Sequence, residues 1–308
     1  MRHLLWIILL FTSKLATGQL TYEKLYVDYD SVWEYKNLKV IPVRFKGPAA
    51  GASLVADVLS LSQAIKQGLI TVSERGTAST ENVHWLRIKN KSKKPVFISS
   101  GETVIGGRQD RMVTKDTLMM PTGGDQYIPA MCVEEGRWSK KEKKFIYGSY
   151  ANPRLRKVLD HSKNQVLIWK EIYAQLDSSK IKSSTLSYNA IKLDKNFIIQ
   201  EDEYLRYFKE RMLEKDTSIV GIVCVSGKKI LGCDIFAGTN LFEDQAIPLL
   251  RGYIEEAIAF GSEPDLKNEK VKIFMDNILS DEISQEEYCK KNGKIYRYNG
   301  KVLHLTAY

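Results

Sequence analysis

One segment constrains this chain more than any other: Gly101–Trp138, GETVIGGRQDRMVTKDTLMMPTGGDQYIPAMCVEEGRW. Gly123-Gly124 divides two extended runs, Arg111 to Met120 and Gln126 to Glu134. A glycine pair supplies the positive φ angles that a tight hairpin turn requires. The expectation is a long β-hairpin with Met120 opposite Tyr127, Asp116 opposite Met131, Arg111 opposite Gly136 and Asp110 opposite Arg137. The RQDR and EEGRW runs then meet. Alternation puts Gln109, Arg111, Cys132, Glu134 and Trp138 on one face, and Arg108, Asp110, Glu135 and Arg137 on the other.

Arginine forks match carboxylate and phosphate oxygens with paired hydrogen bonds, so Arg108, Arg111 and Arg137 could clamp an anion at the ribbon end. The same three suit ion pairs with Asp110, Glu134 and Glu135, all within cross-strand reach. Residue types alone leave both readings open. Glu102 and Glu134 are candidates for a general acid and base, or for holding a ribose hydroxyl, provided the hairpin brings them together. Cys132 is the third catalytic candidate, with Arg111 and Lys115 as sources of a positive field. Its neighbours Ala130, Met131 and Val133 favour an inert buried thiol. Trp138 suits stacking on a base or sugar and suits a core equally. Gly106-Gly107 has neither the Walker lysine nor the dinucleotide fingerprint and opens no helix, which points to a bend or bulge.

Residues Gly101, Glu102, Gly106, Gly107, Gln109, Arg111, Cys132, Val133, Glu134, Gly136, Arg137 and Trp138 form a pattern that resembles the domain associated with ADP-ribosylglycohydrolases and rhodanese-phosphatases, a domain of unknown function. Asp110 stands where that pattern has Asn. Asn164–Ile172 (NQVLIWKEI) and Val220–Phe236 (VGIVCVSGKKILGCDIF) also resemble the family, so the likeness covers most of the chain. The resemblance implies an association with NAD and ADP-ribose metabolism, and no specific reaction or cofactor.

Residues 1–18 carry Arg2 and His3, an apolar run Leu4–Phe11 and the small-residue end Ala16-Thr17-Gly18, the layout of a secretory signal peptide cleaved near Gly18/Gln19. The expected mature chain is one exported domain, 19–308, periplasmic or extracellular. Gln19 follows the cleavage point, so no lipid anchor is expected. No later segment reads as a transmembrane helix. The formal charge of +9 falls to +7 when Arg2 and Lys14 leave with the leader. That excess is too mild to argue a nucleic-acid partner, and no nucleic-acid module accompanies it. Protein partners cannot be named from sequence. The four histidines, His3, His84, His161 and His304, share no metal-ligand spacing with one another or with cysteine, so no metal site is expected. Cys224 and Cys233 flank the turn Gly227-Lys228 as diagonal neighbours and are expected to stay unbridged.

The fold class expected is α+β: a β-rich N-terminal half, an antiparallel sheet or sandwich over 38–138, then a mixed helix and hairpin half over 152–308. Gln19–Tyr35 reads as an irregular lead-in and Leu38–Phe45 as a strand. Ser53–Lys66 reads as a helix, and 69–74, 83–89, 95–99 and 102–105 as short strands. Lys140–Ala151 is a charged connection. Helices follow from Pro153 to Leu176 with a break, over Glu201–Glu214 and over Glu243–Phe260; Ser178–Ser187 is a loop between the first two. Val220–Phe236 is a hairpin, Lys270–Met275 an extended piece and Glu282–Lys291 a helix. A last hairpin turns at Asn299-Gly300.

Three functions fit these residues: binding of an anionic small molecule, by family association a nucleotide or ADP-ribose derivative; an envelope or extracellular structural or interaction protein whose cluster is an ion-pair knot; and a Glu-dependent hydrolase.

Overall fold

The computed structural model describes residues 20–47, 58–76, 82–139, 144–212 and 218–308. The expected leader, the cleavage point and the first turns of the helix expected from Ser53 lie outside these residues.

Two strands buried along nearly their whole length set the architecture. β3 (Leu38–Phe45) and β13 (Ile219–Ser226) pair antiparallel, with Val40 opposite Cys224 and Ile41 opposite Val223. A strand apolar on both faces must lie in the middle of a covered sheet. On its flanks the sheet takes up β14 (Lys229–Phe236), β16 (Lys301–Ala307) and β15 (Gly293–Tyr298) on one side, and β1 (Leu25–Val27) and β2 (Trp33–Tyr35) on the other. The lead-in expected to be irregular therefore contributes two edge strands. They belong with the C-terminal half in space, although they lie in the N-terminal half of the chain.

Both faces of this sheet are covered. One carries Leu38, Ile222 and Phe236 against Tyr204 and Phe208 of α4 (Lys195–Met212) and Leu249 and Tyr253 of α5 (Thr239–Phe260). The other carries Val43, Val223 and Ile235 against Val271, Met275 and Ile278 of α6 (Asn268–Leu279) and Cys289 of α7 (Glu282–Asn292). The piece expected to be extended at Lys270–Met275 is thus helical. Its apolar residues 271, 274, 275, 278 and 279 recur at the helical interval, and all are buried.

The remaining strands form a six-stranded sheet, β12-β8-β9-β11-β6-β5, and a small three-stranded one, β10-β7-β4. Their ranges are β4 Leu59–Ser60, β5 Ile70–Glu74, β6 Trp85–Asn90, β7 Val96–Ile98, β8 Glu102–Ile105, β9 Arg111–Val113, β10 Thr117–Met119, β11 Asp125–Cys132 and β12 Ile146–Tyr150. Ser60 caps α1 (Leu61–Lys66) through its side chain, and Leu61, Val72, Ile88 and Ile98 share the core between these layers. β12 replaces part of the charged connection expected at Lys140–Ala151. α2 (Pro153–Ser162) and α3 (Gln165–Ser178) break at Lys163, whose φ is 45°, and pack with the 3-10 helix Tyr188–Leu193 on Met112 and Val133. The fold class is α+β with a strand-rich N-terminal half.

The long hairpin does not form as expected. β9 pairs with β11, but Arg111 lies opposite Cys132 and Val113 opposite Ala130, four residues away from the symmetric register about Gly123-Gly124. After Val113 the chain leaves the ribbon. β10 pairs with β7 instead, and the first half of β11 pairs with β6. The pull comes from Asp116, whose carboxylate takes the Ser100 N–H at 2.6 Å and a ring nitrogen of His304 at 2.6 Å. An even offset preserves faces, so Arg111 and Cys132 still share one.

In the β13–β14 hairpin a bulge between Cys224 and Val225 puts Cys224 opposite Gly232. The extra residue sends the two thiols to opposite faces of the sheet rather than to a diagonal, one into each core, and no disulfide joins them.

Candidate functional site

Two buried polar centres divide the expected site residues. The first gathers Arg108, Gln109, Asp110, Arg111, Glu134 and Arg137. Glu74, at the end of β5, is its unforeseen member: its carboxylate accepts the Arg108 N–H at 2.7 Å and sits 3.3 Å from the Arg111 guanidinium, with both side chains out of solvent reach. Arg111 also donates to the Gln109 carbonyl at 2.9 Å. Gly106 and Gly107 make the bend that allows this. A Cβ on Gly107 would stand 2.1 Å from Phe145 and 2.4 Å from Glu74, at a φ of 53°.

Arg137 closes the cluster. Its Nε donates to Glu134, its Nη2 to Asp110 at 2.7 Å and to the Gly106 carbonyl, and its Nη1 to the Gly107 carbonyl. Asp110 uses both oxygens: one accepts from Gly106 N–H and Arg137, the other from Ser187 and Asn189. Burial opposes ionisation of Glu134, but hydrogen bonds from Arg137, Thr185 and the Asp110 N–H hold its carboxyl below the usual range. Gln109 donates to the carbonyls of Glu134 and Glu135. Gly136 lies against Thr185. Trp138 is half exposed, with the Arg108 guanidinium over its ring. Cys132 is buried, and Gln165 brackets its backbone, accepting from its N–H at 2.8 Å and donating to its carbonyl at 2.7 Å. Asn164 caps α3, so the Asn164-Gln165 pair fastens helix to ribbon.

Glu102 lies in the second centre, and its partners are not those of Glu134. One carboxyl oxygen accepts the Ser99 N–H at 2.7 Å; the other has no hydrogen-bond partner, and the nearby Tyr147 hydroxyl favours its ionised form. Burial raises its carboxyl to about 8. Asp116 and His304, the next members, act on Glu102 in opposite directions. His304 reaches Asp116 at 2.6 Å through Nδ1 and Asp234 at 3.2 Å through Nε2. Asp234 accepts from Arg156 at 3.0 and 2.8 Å, Tyr253 at 2.6 Å and Thr306 at 2.7 Å. Burial works against charge on His304, and its two carboxylate neighbours overcome this and raise its proton affinity. The Asp234 carboxyl is likewise held well below the usual range by Arg156 and His304, against its burial.

Sequence reasoning missed Asp116, Arg156, Asp234, Thr306 and His304 as a group. The available signal was a lone charge inside an apolar strand, GCDIF, and the alternation of His304 and Thr306 along β16. Among the described residues, no group of three or more His, Cys, Asp or Glu is arranged to hold a metal ion, and no helix is long and apolar enough to cross a membrane.

A family model for the ARG and Rhodanese-Phosphatase-superfamily-associated Protein domain, ARPP-1, matches residues 26–308. The chain belongs to this family. Neither a curated protein nor a solved structure matches it. In this ARPP-1 chain Gly106, Gly107, Gln109, Arg111, Glu134, Gly136 and Arg137 all have internal partners or close internal packing, and the Asp110 carboxylate accepts from four groups.

Proposed function

We propose that the Arg/Glu/Gln cluster is a structural fastening, and that this ARPP-1 protein serves after export as a structural or interaction component of the envelope or extracellular space. One observation carries the reading: Arg137 spends Nε, Nη1 and Nη2 on two carboxylates and two carbonyls of its own chain. An anion clamp needs donors aimed at a ligand. A fastening needs them aimed inward. The signal-peptide layout of residues 1–18 supports export, and N-terminal sequencing of secreted protein is expected to begin at Gln19.

The test compares melting of wild type, Arg137→Lys and Arg137→Ala in the presence of ADP-ribose, NAD and inorganic phosphate, the first two chosen because the resemblance implies ADP-ribose metabolism. Arg137→Ala leaves two carboxylates without their guanidinium, and a loss of about 3 kcal/mol is expected. Any ligand response should be equal in wild type and variant. A ligand at a hundred times its dissociation constant would add about 2.7 kcal/mol. Stabilisation of that size in wild type alone, with Arg137→Ala as stable as wild type, overturns the fastening.

A second reading, a Glu-dependent hydrolase, is favoured by Glu102: raised to about 8, with an unpartnered oxygen. Its carboxyl is sealed, so the centre would have to open. Release of ADP-ribose from an ADP-ribosylated protein, abolished by Glu102→Gln with binding retained, is the outcome this reading requires; absence of release from wild type removes it.

A further inference from the structure

Away from both centres, a cleft of about 440 Å³ opens where the β13–β14 turn faces the first turn of α2 and the end of α5. Four exposed cations, Arg154, Lys157, Lys228 and Lys229, ring it, and the buried Glu256 lies at its floor. The Phe260 ring, under the Arg154 guanidinium at 4.2 Å, and Ile230, Leu231 and Pro153 supply apolar wall. Two of the cations face acids: Lys228 lies 3.4 Å from Asp265, and Arg154 lies 3.4 Å from Glu171. Lys157 and Lys229 have no ion-pair partner among the described residues, which leaves a net attraction for about a dianion.

Glu256 turns this basic rim into a site. Its side chain is only 7% exposed, and its Oε2 has no hydrogen-bond partner. An orphaned buried oxygen costs free energy unless a ligand satisfies it. We propose that this cleft binds a phosphorylated small organic molecule, its phosphoryl oxygens held by Arg154, Lys157, Lys228 and Lys229 and hydrogen-bonded by Glu256, its organic part against Phe260. A phosphoryl group offers three strong acceptor oxygens to such a set.

A carboxylate at the floor would repel that ligand, and the surroundings favour the neutral acid at neutral pH. Burial raises the Glu256 carboxyl to about 8; Glu255 on the same helix and Glu171 on α3 add to this, while the Arg154 charge and its backbone N–H oppose it. The neutral carboxyl then donates.

Calorimetric titration of the full chain with pyrophosphate, ADP and citrate tests this. Pyrophosphate and ADP are expected to bind, and Lys157→Glu/Lys229→Glu is expected to weaken both at least tenfold with melting within about 2 °C of wild type, since both side chains are exposed. Between pH 7 and 9 wild-type affinity should fall about tenfold, the change in the neutral fraction of Glu256, and Glu256→Gln should remove that slope. No binding of either phosphate probe, or equal binding by the double variant, overturns the site. Citrate binding as tight as pyrophosphate overturns the phosphoryl assignment. A pH slope unchanged in Glu256→Gln overturns the role of Glu256.

Discussion

Arg156 and Asp234 meet through two parallel hydrogen bonds of 3.0 and 2.8 Å, 78 residues apart in sequence, with both side chains sealed from solvent. The pair joins α2 to the central sheet. Through His304 it also reaches Asp116, the residue that draws β10 away from the Gly123-Gly124 ribbon. Gly101 fits against it, since a Cβ there would stand 2.8 Å from the Arg156 Cδ at a φ of 96°.

Removing one member strands the other's charge. Arg156→Met is expected to cost about 3–5 kcal/mol in urea unfolding, and Arg156→Met/Asp234→Asn to recover part of that loss by deleting the stranded carboxylate. A single variant within about 1 kcal/mol of wild type would mean that Tyr253, Thr306 and His304 satisfy Asp234 unaided.

The glycines of the ribbon separate strain from crowding. Gly123 has a φ of 70° and nothing within 4 Å of a built Cβ, so Gly123→Ala should cost only the left-handed backbone, about 1–2 kcal/mol. Gly107 has a φ of 53° and would press a methyl into Phe145 at 2.1 Å and Glu74 at 2.4 Å. Gly107→Ala adds overpacking and should cost about 2–5 kcal/mol. Equal losses in the two variants would sink the claim that the Gly106-Gly107 bend exists for close approach.

What the sequence disclosed follows the range of the forces involved. Asn299-Gly300 marked its hairpin because the turn chemistry is local: both residues take positive φ, 50° and 77°. Pro153 likewise marks a helix start that the structure bears out. Gly123-Gly124 promised a turn but could not say which strands pair, because Asp116 answers to His304, 188 residues away. The partner of Arg111 was hidden for the same reason: Glu74 is 37 residues off, on a strand three places away across the sheet. Val271, Phe274, Met275 and Ile278 did carry a helical interval. The expected extended piece ends at Met275, before Ile278 and Leu279 complete the stripe.

Thiol reactivity should follow burial. Cys224, Cys233 and Cys289 sit in the two cores flanking the central sheet, and desolvation pushes all three thiols up, Cys289 to about 12. A neutral, inaccessible thiol is a poor nucleophile. Ellman's reagent should therefore react with none of these three in the native protein and with all of them after unfolding. Rapid modification of any of the three under native conditions would contradict the packing described for it.

Glu102 makes the pH dependence of stability a direct reading of its burial. Its proton affinity is higher folded, about 8, than the 4.5 of an unperturbed glutamate, so protonation favours the folded state. Its contribution is complete below pH 4.5 and is lost as pH rises to 8. The full window corresponds to about 5 kcal/mol at about 1.4 kcal/mol per pH unit. His304 and Asp116 titrate nearby, His304 with its proton affinity raised and Asp116 with its carboxyl lowered, so wild type alone would mix three groups. Glu102→Gln keeps the shape and donor of the protonated acid and cannot ionise. The difference in unfolding free energy between Glu102→Gln and wild type should grow in the variant's favour from pH 5 to 8, then level off. Parallel stability curves would show that Glu102 is ionised in the native state, with the Ser99 N–H and Tyr147 enough to hold its charge.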